Sequence, residues 1–283
     1  MMPTRRDLKF DLADVDLKRW NANGPLLSAY MNTLSLFFPD GERFFIHSLR
    51  HYRDQVTEPE LKKQITAFIG QEAMHGREHE EYNERLEAQG LPAAKLGREI
   101  FTIIEAAKKL PHDVQLSITI ALEHFTAIYG DLLLRKPEII EGSNPTMTAM
   151  WRWHALEETE HKAVAYDVYT KVMGKTLRAY LLRTSALVVI TSVFLSAIAW
   201  TMARMVKADT EHRYSLRDWA KFGWLMLGPV GALRGIALPW LDYFKPGFHP
   251  WDHDNRHVLA QIDTLAAQYA AAPRKLEPMA VAA

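Results

Sequence analysis

Apolar residues recur at three- and four-residue intervals along nearly the whole chain, and few stretches alternate with the two-residue period of a strand. The pattern predicts an all-α protein. Residues 26 to 38 form an apolar run that ends at Pro39-Asp40, where Asp40 can cap a further helix to about Gln55. The next helix opens at Thr57-Glu58-Pro59-Glu60, with Thr57 as cap and Pro59 in the first turn, and can run to Gln89. Gly90-Leu91-Pro92 stops it. A shorter helix is predicted over 94–109, ending before Pro111, and another from Asp113 to Arg135. After the linker KPEIIEGSNP, Asn144-Pro145 caps a long helix that continues to Gly174.

Beyond Gly174 the pattern changes. Thr184 to Ala203 is an uncharged stretch of 20 residues between Arg183 and Arg204, long enough to cross a bilayer. Its Ser185, Thr191, Ser192, Ser196 and Thr201 favour a buried helix that covers the bundle or lines an apolar substrate tunnel. Membrane attachment, as a hairpin with the apolar residues 223–241, is the second reading. Ser215-Leu216-Arg217-Asp218 looks like a helix start, and a last helix is expected over about 254–271. The chain thus divides into an N-terminal arm (1–25), a four-helix bundle (26–175), a C-terminal helical extension (176–272) and a disordered tail (273–283).

Composition narrows the chemistry. Lysine plus arginine equals aspartate plus glutamate at 34 each, so no net field favours nucleic acid. Cysteine is absent, which removes disulfides and thiolate metal sites and leaves His, Asp and Glu as the metal ligands. The start, MMPTRRDLKFDL, has no apolar run behind its arginines, so a cytoplasmic address is expected, with association at the inner face of the membrane left open.

Two segments carry Glu-x-x-His: Glu72 with His75, and Glu158 with His161. Residues three apart share a helix face, so each pair can offer a carboxylate and an imidazole to one ion. A bundle that holds two metal ions needs such a pair from two helices and a lone Glu from each of the other two. Glu42 and Glu123 stand on the preceding helices. The turn near Val56 has Glu42 about 14 residues before it and Glu72 about 16 after, so both lie roughly 21 to 24 Å from it. The turn near Ile140 has Glu123 about 17 residues before and Glu158 about 18 after. Each antiparallel pair therefore brings its carboxylates level. His154 adds an imidazole in the pattern His154-x-x-x-Glu158-x-x-His161.

With these residues the chain resembles the ferritin-like di-iron carboxylate superfamily, above all its arylamine N-oxygenase branch (p-aminobenzoate N-oxygenase type), whose last ligand helix carries the extra histidine. Over roughly 25–260 it also resembles a bacterial family catalogued as predicted metal-dependent hydrolase. The resemblance implies a ferritin-like four-helix bundle with additional C-terminal apolar helices. It implies that Glu42, Glu72 and His75 bind one iron and Glu123, His154, Glu158 and His161 the other, with Glu72 and Glu158 bridging. Glu157 would orient His75 through its free ring nitrogen. Gln71 stands in the equivalent place before Glu72, where an acid is usual.

The function expected is therefore oxidation of a small, hydrophobic substrate by N-oxygenation, hydroxylation or desaturation. Its cofactors are two iron ions, with manganese as the alternative, and dioxygen is the co-substrate. Electrons must come from an external donor, because no dinucleotide fingerprint is present. A dinuclear hydrolase and a non-catalytic iron-binding or storage protein are the rival readings, and a homodimer and peripheral membrane contact remain open. His79 reads as part of a solvated helix face beside Glu78, Glu80 and Glu81, with an eighth ligand as the lesser alternative. His124 points about 100° away from Glu123 and is left out. His249, Asp252, His253, Asp254 and His257 resemble a rival metal site in composition but read better as a loop packing Phe248 and Trp251 beneath an aspartate cap.

Overall fold

The computed structural model describes residues 1–228 and 231–269, and among these no β-strand forms beyond an isolated bridge at Leu8. Four long helices build the bundle: α1 (Pro25–Tyr52), α2 (Pro59–Ala88), α4 (His112–Arg135) and α5 (Pro145–His161), with the shorter α3 (Ala93–Ala107) and α6 (Val164–Met173) beside them. α1 packs chiefly on α2, and α4 on α5. Then follow α7 (Leu177–Ala208), α8 (Leu216–Leu227), α9 (Ala232–Asp242) and α10 (Ile262–Tyr269). The tail expected to be disordered, 273–283, lies outside the described residues.

Several boundaries differ from those the sequence suggests. Pro39 does not end a helix; α1 runs straight through it. Proline has no N–H for the carbonyl of Ser35, four residues back, and such a gap normally breaks a helix. Here Asn83 of α2 donates its Nδ2 to that carbonyl at 3.0 Å, so the orphan acceptor is satisfied from outside. Thr57 is not a cap: Glu58 takes the N-cap position of α2, with no side-chain cap. Asn144 does cap α5, its Oδ1 accepting from Thr146 N and Met147 N. The run to Gly174 is broken, however, at Lys162–Ala163, directly after His161. Lys162 is buried there, with its ammonium donating to the His253 carbonyl and to Asn255 Oδ1, each at 2.7 Å. Ser215 and Asp218 form a reciprocal cap at α8, as their spacing predicts. The last helical segment opens as a 3-10 turn over Arg256–Gln261 before α10.

Two apolar cores flank the middle of the bundle. One, toward the α1–α2 turn, gathers Phe44, Leu49, Phe68, Leu116 and Phe125. The other, toward the opposite end, gathers Phe10, Leu17, Tyr82, Met150 and Trp153, and its Phe10 and Leu17 come from the N-terminal arm. Between these cores lies a belt of buried charge. At Gly130 a Cβ would stand 3.1 Å from the Ala155 carbonyl and 3.3 Å from its Cα, so the glycine sets how closely α4 approaches α5 beside that belt.

α7 is long and apolar enough to cross a membrane, yet only 22% of its most apolar window is buried. The expectation of a buried covering helix therefore holds for one face alone. Leu187, Ile198 and Met205 turn inward, while Val188, Val189, Val193 and Trp200 are exposed.

Candidate metal centre

The belt consists of Glu42 from α1, Glu72 and His75 from α2, Glu123 from α4, and His154, Glu158 and His161 from α5. The structure brings all seven into one cluster, each no more than 3% exposed. Glu42, His75 and His154 have ligand atoms within 4.8 Å of one another, as do Glu72, Glu123 and His161, and Glu72, His75 and Glu158. Glu158 sits centrally: one oxygen is 3.1 Å from His154 Nε2 and 3.6 Å from His75 Nδ1, the other 3.4 Å from His161 Nε2.

This grouping differs from the one inherited by resemblance, which put His154 and His161 on the same ion. Seven residues of helix separate them by roughly 10 Å along the axis, so they flank Glu158 from opposite sides. His154 instead stacks on His75, with ring centroids 4.2 Å apart, and completes the Glu42 end. His161 completes the end made by Glu72 and Glu123, with Nε2 at 3.1 and 3.7 Å from their oxygens.

The strongest indication of what the cluster could hold is what its atoms lack. Both oxygens of Glu42, Glu72 and Glu123, one oxygen of Glu158, His75 Nδ1, His154 Nε2 and His161 Nε2 are buried without a hydrogen-bond partner. Orphaned acceptors in a dry interior are strongly unfavourable unless a cation or protons meet them. Burial pushes Glu42, Glu72 and Glu123 well above the usual carboxylate range, and neighbouring carboxylates push Glu72 further. Burial would raise Glu158 too, but the surrounding imidazoles, His161 foremost, hold it well below that range. Burial would lower His75, yet Glu157 and Glu158 bring it up to about 10. The cluster therefore favours positive charge at His75 Nδ1. All four carboxylates and three imidazoles fit the donor set of two hard or borderline divalent cations, and four ionised carboxylates would neutralise the pair.

The outward-facing nitrogens are fixed by hydrogen bonds. His75 Nε2 lies 3.1 Å from Glu157 Oε2. Gln71 Nε2 donates to Glu160 Oε2 at 2.6 Å and to the Thr4 carbonyl at 3.1 Å, which turns its Oε1 to His161 Nδ1 at 3.0 Å. His161 therefore carries its proton on Nδ1 and presents Nε2 as a lone pair. Arg6 joins the two halves, donating to Glu157 at 3.2 Å and to Glu160 at 2.9 and 3.1 Å. Thr4, Arg6 and Glu160 were not legible as contributors, and only the spacing of Glu160 three residues after Glu157 hinted at a shared face.

His79 corrects the expectation of a solvated face, and among the described residues no cluster of ligand atoms includes it. It is completely buried, with Glu78 beside it held by Phe10 N and Arg77 Nε. Asn83, whose Nδ2 is committed to Ser35 O, presents Oδ1 to Ser35 Oγ at 2.8 Å and takes its single proton. Ser35 Oγ must then accept from His79 Nδ1 at 2.9 Å. Burial and the adjacent imidazoles keep His79 neutral, so its Nε2 accepts from His154 Nδ1 at 2.9 Å. His154 Nε2 is left as a bare lone pair facing the cluster.

His124 stays outside the cluster, its Nε2 3.1 Å from the Pro239 carbonyl. The rival group also resolves into ordinary pairs. His249 bonds Asp167 and His253 bonds Asp242, each at 2.9 Å, Asp252 accepts from His249 N, and Asp254 pairs with Arg256. His257 is exposed.

Against the Glu42, His154 and Glu158 side lies a cavity of about 220 Å³, walled by Phe37, Phe38, Ile104, Phe125, Phe194 and other apolar side chains. For scale, a cavity of about 150 Å³ with such walls stays dry and accepts a benzene ring.

Over residues 4–254 the chain matches a family described as predicted metal-dependent hydrolase, and it belongs to that family. No curated protein and no solved structure matches it.

Proposed function

We propose that this member of the predicted metal-dependent hydrolase family holds two iron ions in a ferritin-like bundle and uses them to oxidise an apolar organic substrate with dioxygen. The observation that carries the reading is the set of buried ligand atoms without hydrogen-bond partners on seven side chains from four helices, set against an apolar cavity. When bound, a redox-active metal pair supplies the electrons and open positions that dioxygen needs. Glu42, His75 and His154 would hold one ion and Glu72, Glu123 and His161 the other, with Glu158 between them. Glu157, Gln71 and His79 fix the three imidazoles so that each presents a lone pair. The walls at Phe37, Phe38 and Phe194 exclude water and leave dioxygen and an apolar chain as the species that partition there. Reducing equivalents come from a separate donor protein or small reductant.

Hydrolysis is the second reading, favoured by the family's description. A hydrolase has to bring water and a polar scissile group to its metals, and the apolar walls disfavour both. Rapid mixing of the ferrous protein with dioxygen tests the choice. Oxidation predicts a transient visible absorbance and dioxygen uptake. Optical silence, together with ester hydrolysis by the zinc-loaded protein, would establish the hydrolase instead.

A further inference from the structure

The cavity has a mouth. Phe37, Ile100, Ile103, Val193 and Ala197 line it and also line an open groove on the surface between α3 and α7. The rim of that groove is exposed and mostly apolar, with Ile103 51% exposed, Val193 47% and Trp200 65%. Its polar members are Ser192, Ser196, Thr201 and Glu99, which pairs with Arg204. The apolar surface continues along α7 through Leu181, Val188 and Val189, and α8 adds Trp219, Trp224 and Leu227. So many exposed large apolar residues on two successive helices mark a site of contact with a partner or a membrane.

Charge indicates which partner. Although the whole chain is neutral, the segment from α7 to α8 exposes Lys207, Arg213, Arg217 and Lys221. The nearby acids are already engaged, Asp209 with Arg19, Glu211 with Lys18, Glu99 with Arg204, and Asp218 with Ser215 and His212. Arg217, Lys221 and Trp224 follow one another at helical spacing along α8. Apolar helix faces bordered by tryptophan and free basic residues are the composition of surfaces that lie in the interface of an anionic bilayer. A second copy of the chain docked on this face would bring like charges together and cover the cavity mouth. A bilayer would instead place the mouth against the phase in which an apolar substrate is dissolved.

We propose that the face formed by α7 and α8 docks on an anionic lipid bilayer, and that a substrate of the acyl-chain type passes from the lipid through the α3–α7 mouth to the Glu42, His154 and Glu158 side of the cluster. The passage of substrate rests on the oxidation reading above; the docking does not, and needs no metal. Flotation of the purified full chain with vesicles of phosphatidylcholine, with and without phosphatidylglycerol, tests the docking. The protein floats with the anionic vesicles, and less as salt is raised. Leu181→Glu with Val189→Glu, both outside the cavity, abolishes flotation while the helical circular dichroism is unchanged. Arg217→Gln and Lys221→Gln each weaken binding about fivefold. Vesicles with brominated acyl chains quench the fluorescence of the wild type more than that of Trp200→Phe. A protein that stays unbound with every vesicle overturns the proposal. So does a dimer in size-exclusion chromatography that the Leu181/Val189 variant dissociates, which would assign the face to a second copy. Equal quenching in wild type and Trp200→Phe removes the mouth from the lipid.

Discussion

Each histidine in the cluster depends on a residue that touches no ligand position of its own. The chain from Asn83 through Ser35 and His79 ends on His154 Nδ1 and leaves Nε2 free. Replacing His79 by Ala removes the acceptor for that Nδ1 proton and lets the ring turn or change tautomer. Metal affinity should fall on the order of 10- to 100-fold, read by chelator competition with cobalt(II), and Gln at 79, which keeps an acceptor, should recover part of it. Unchanged affinity in His79→Ala would show that the chain positions nothing. The carboxylates set the pH dependence. Glu42, Glu72 and Glu123 titrate well above their ordinary range and so hold protons in the metal-free protein, and metal must displace those protons. Metal affinity therefore rises with pH. Stability of the metal-free protein runs the other way, because a raised folded-state pKa contributes stability at low pH that is lost as pH rises through it. For His75 that loss spans 6.5 to about 10. Thermal melts in chelator should fall over this range, and melts with bound metal should not. Residues at this scale were only partly legible. The spacing of the two Glu-x-x-His pairs was enough to draw seven side chains together, but His79 sits among Glu78, Glu80 and Glu81 and looks solvated. Its ring is instead enclosed by Phe38 and Trp151, with Ser35 and His154 on its two nitrogens, while Phe10 N and Arg77 satisfy Glu78 from elsewhere.

Helices were legible where their signals are local and obscured where a distant residue decides. Asn144-Pro145 and Ser215 with Asp218 act within one turn, and their sequences announce the caps found. Pro39 misleads because the group that rescues its helix, Asn83, is on another element. The break after His161 has neither proline nor glycine to mark it, and Lys162 there is engaged by residues 253 and 255. Gly130 bears on the site through packing alone. A methyl at this position meets backbone atoms of Ala155, which have little room to give. Gly130→Ala should push α4 from α5, destabilise the fold by about 1–3 kcal/mol in chemical denaturation and weaken metal binding. A neutral effect on both would show that the helix pair is free to separate. The N-terminal arm acts on the site as well. Arg6→Met leaves Glu157 and Glu160 facing one another without their cation, and should lower the melting temperature and loosen both His75 and His161. Metal-release kinetics faster than those of the wild type would report this; unaltered release would confine the arm to covering the core.

At the scale of the molecule, a family described as predicted metal-dependent hydrolase, an all-helical bundle and an apolar cavity beside a charged cluster fit one design. The belt of carboxylates is unfavourable on its own, and the two apolar cores on either side of it supply the stability that lets it persist. Periodicity alone could not place α7, since a helix with one packed face and one bare face passes for buried or membrane-bound. What it does is decided by its outer residues. Whether the belt is a dinuclear centre is decided most directly by anomalous diffraction at the iron edge, from crystals loaded with ferrous iron without oxygen. The account predicts two peaks about 3.5–4 Å apart, one among Glu42, His75 and His154, the other among Glu72, Glu123 and His161, with Glu158 reaching both. A single peak, or iron bound anywhere but between these residues, would contradict it.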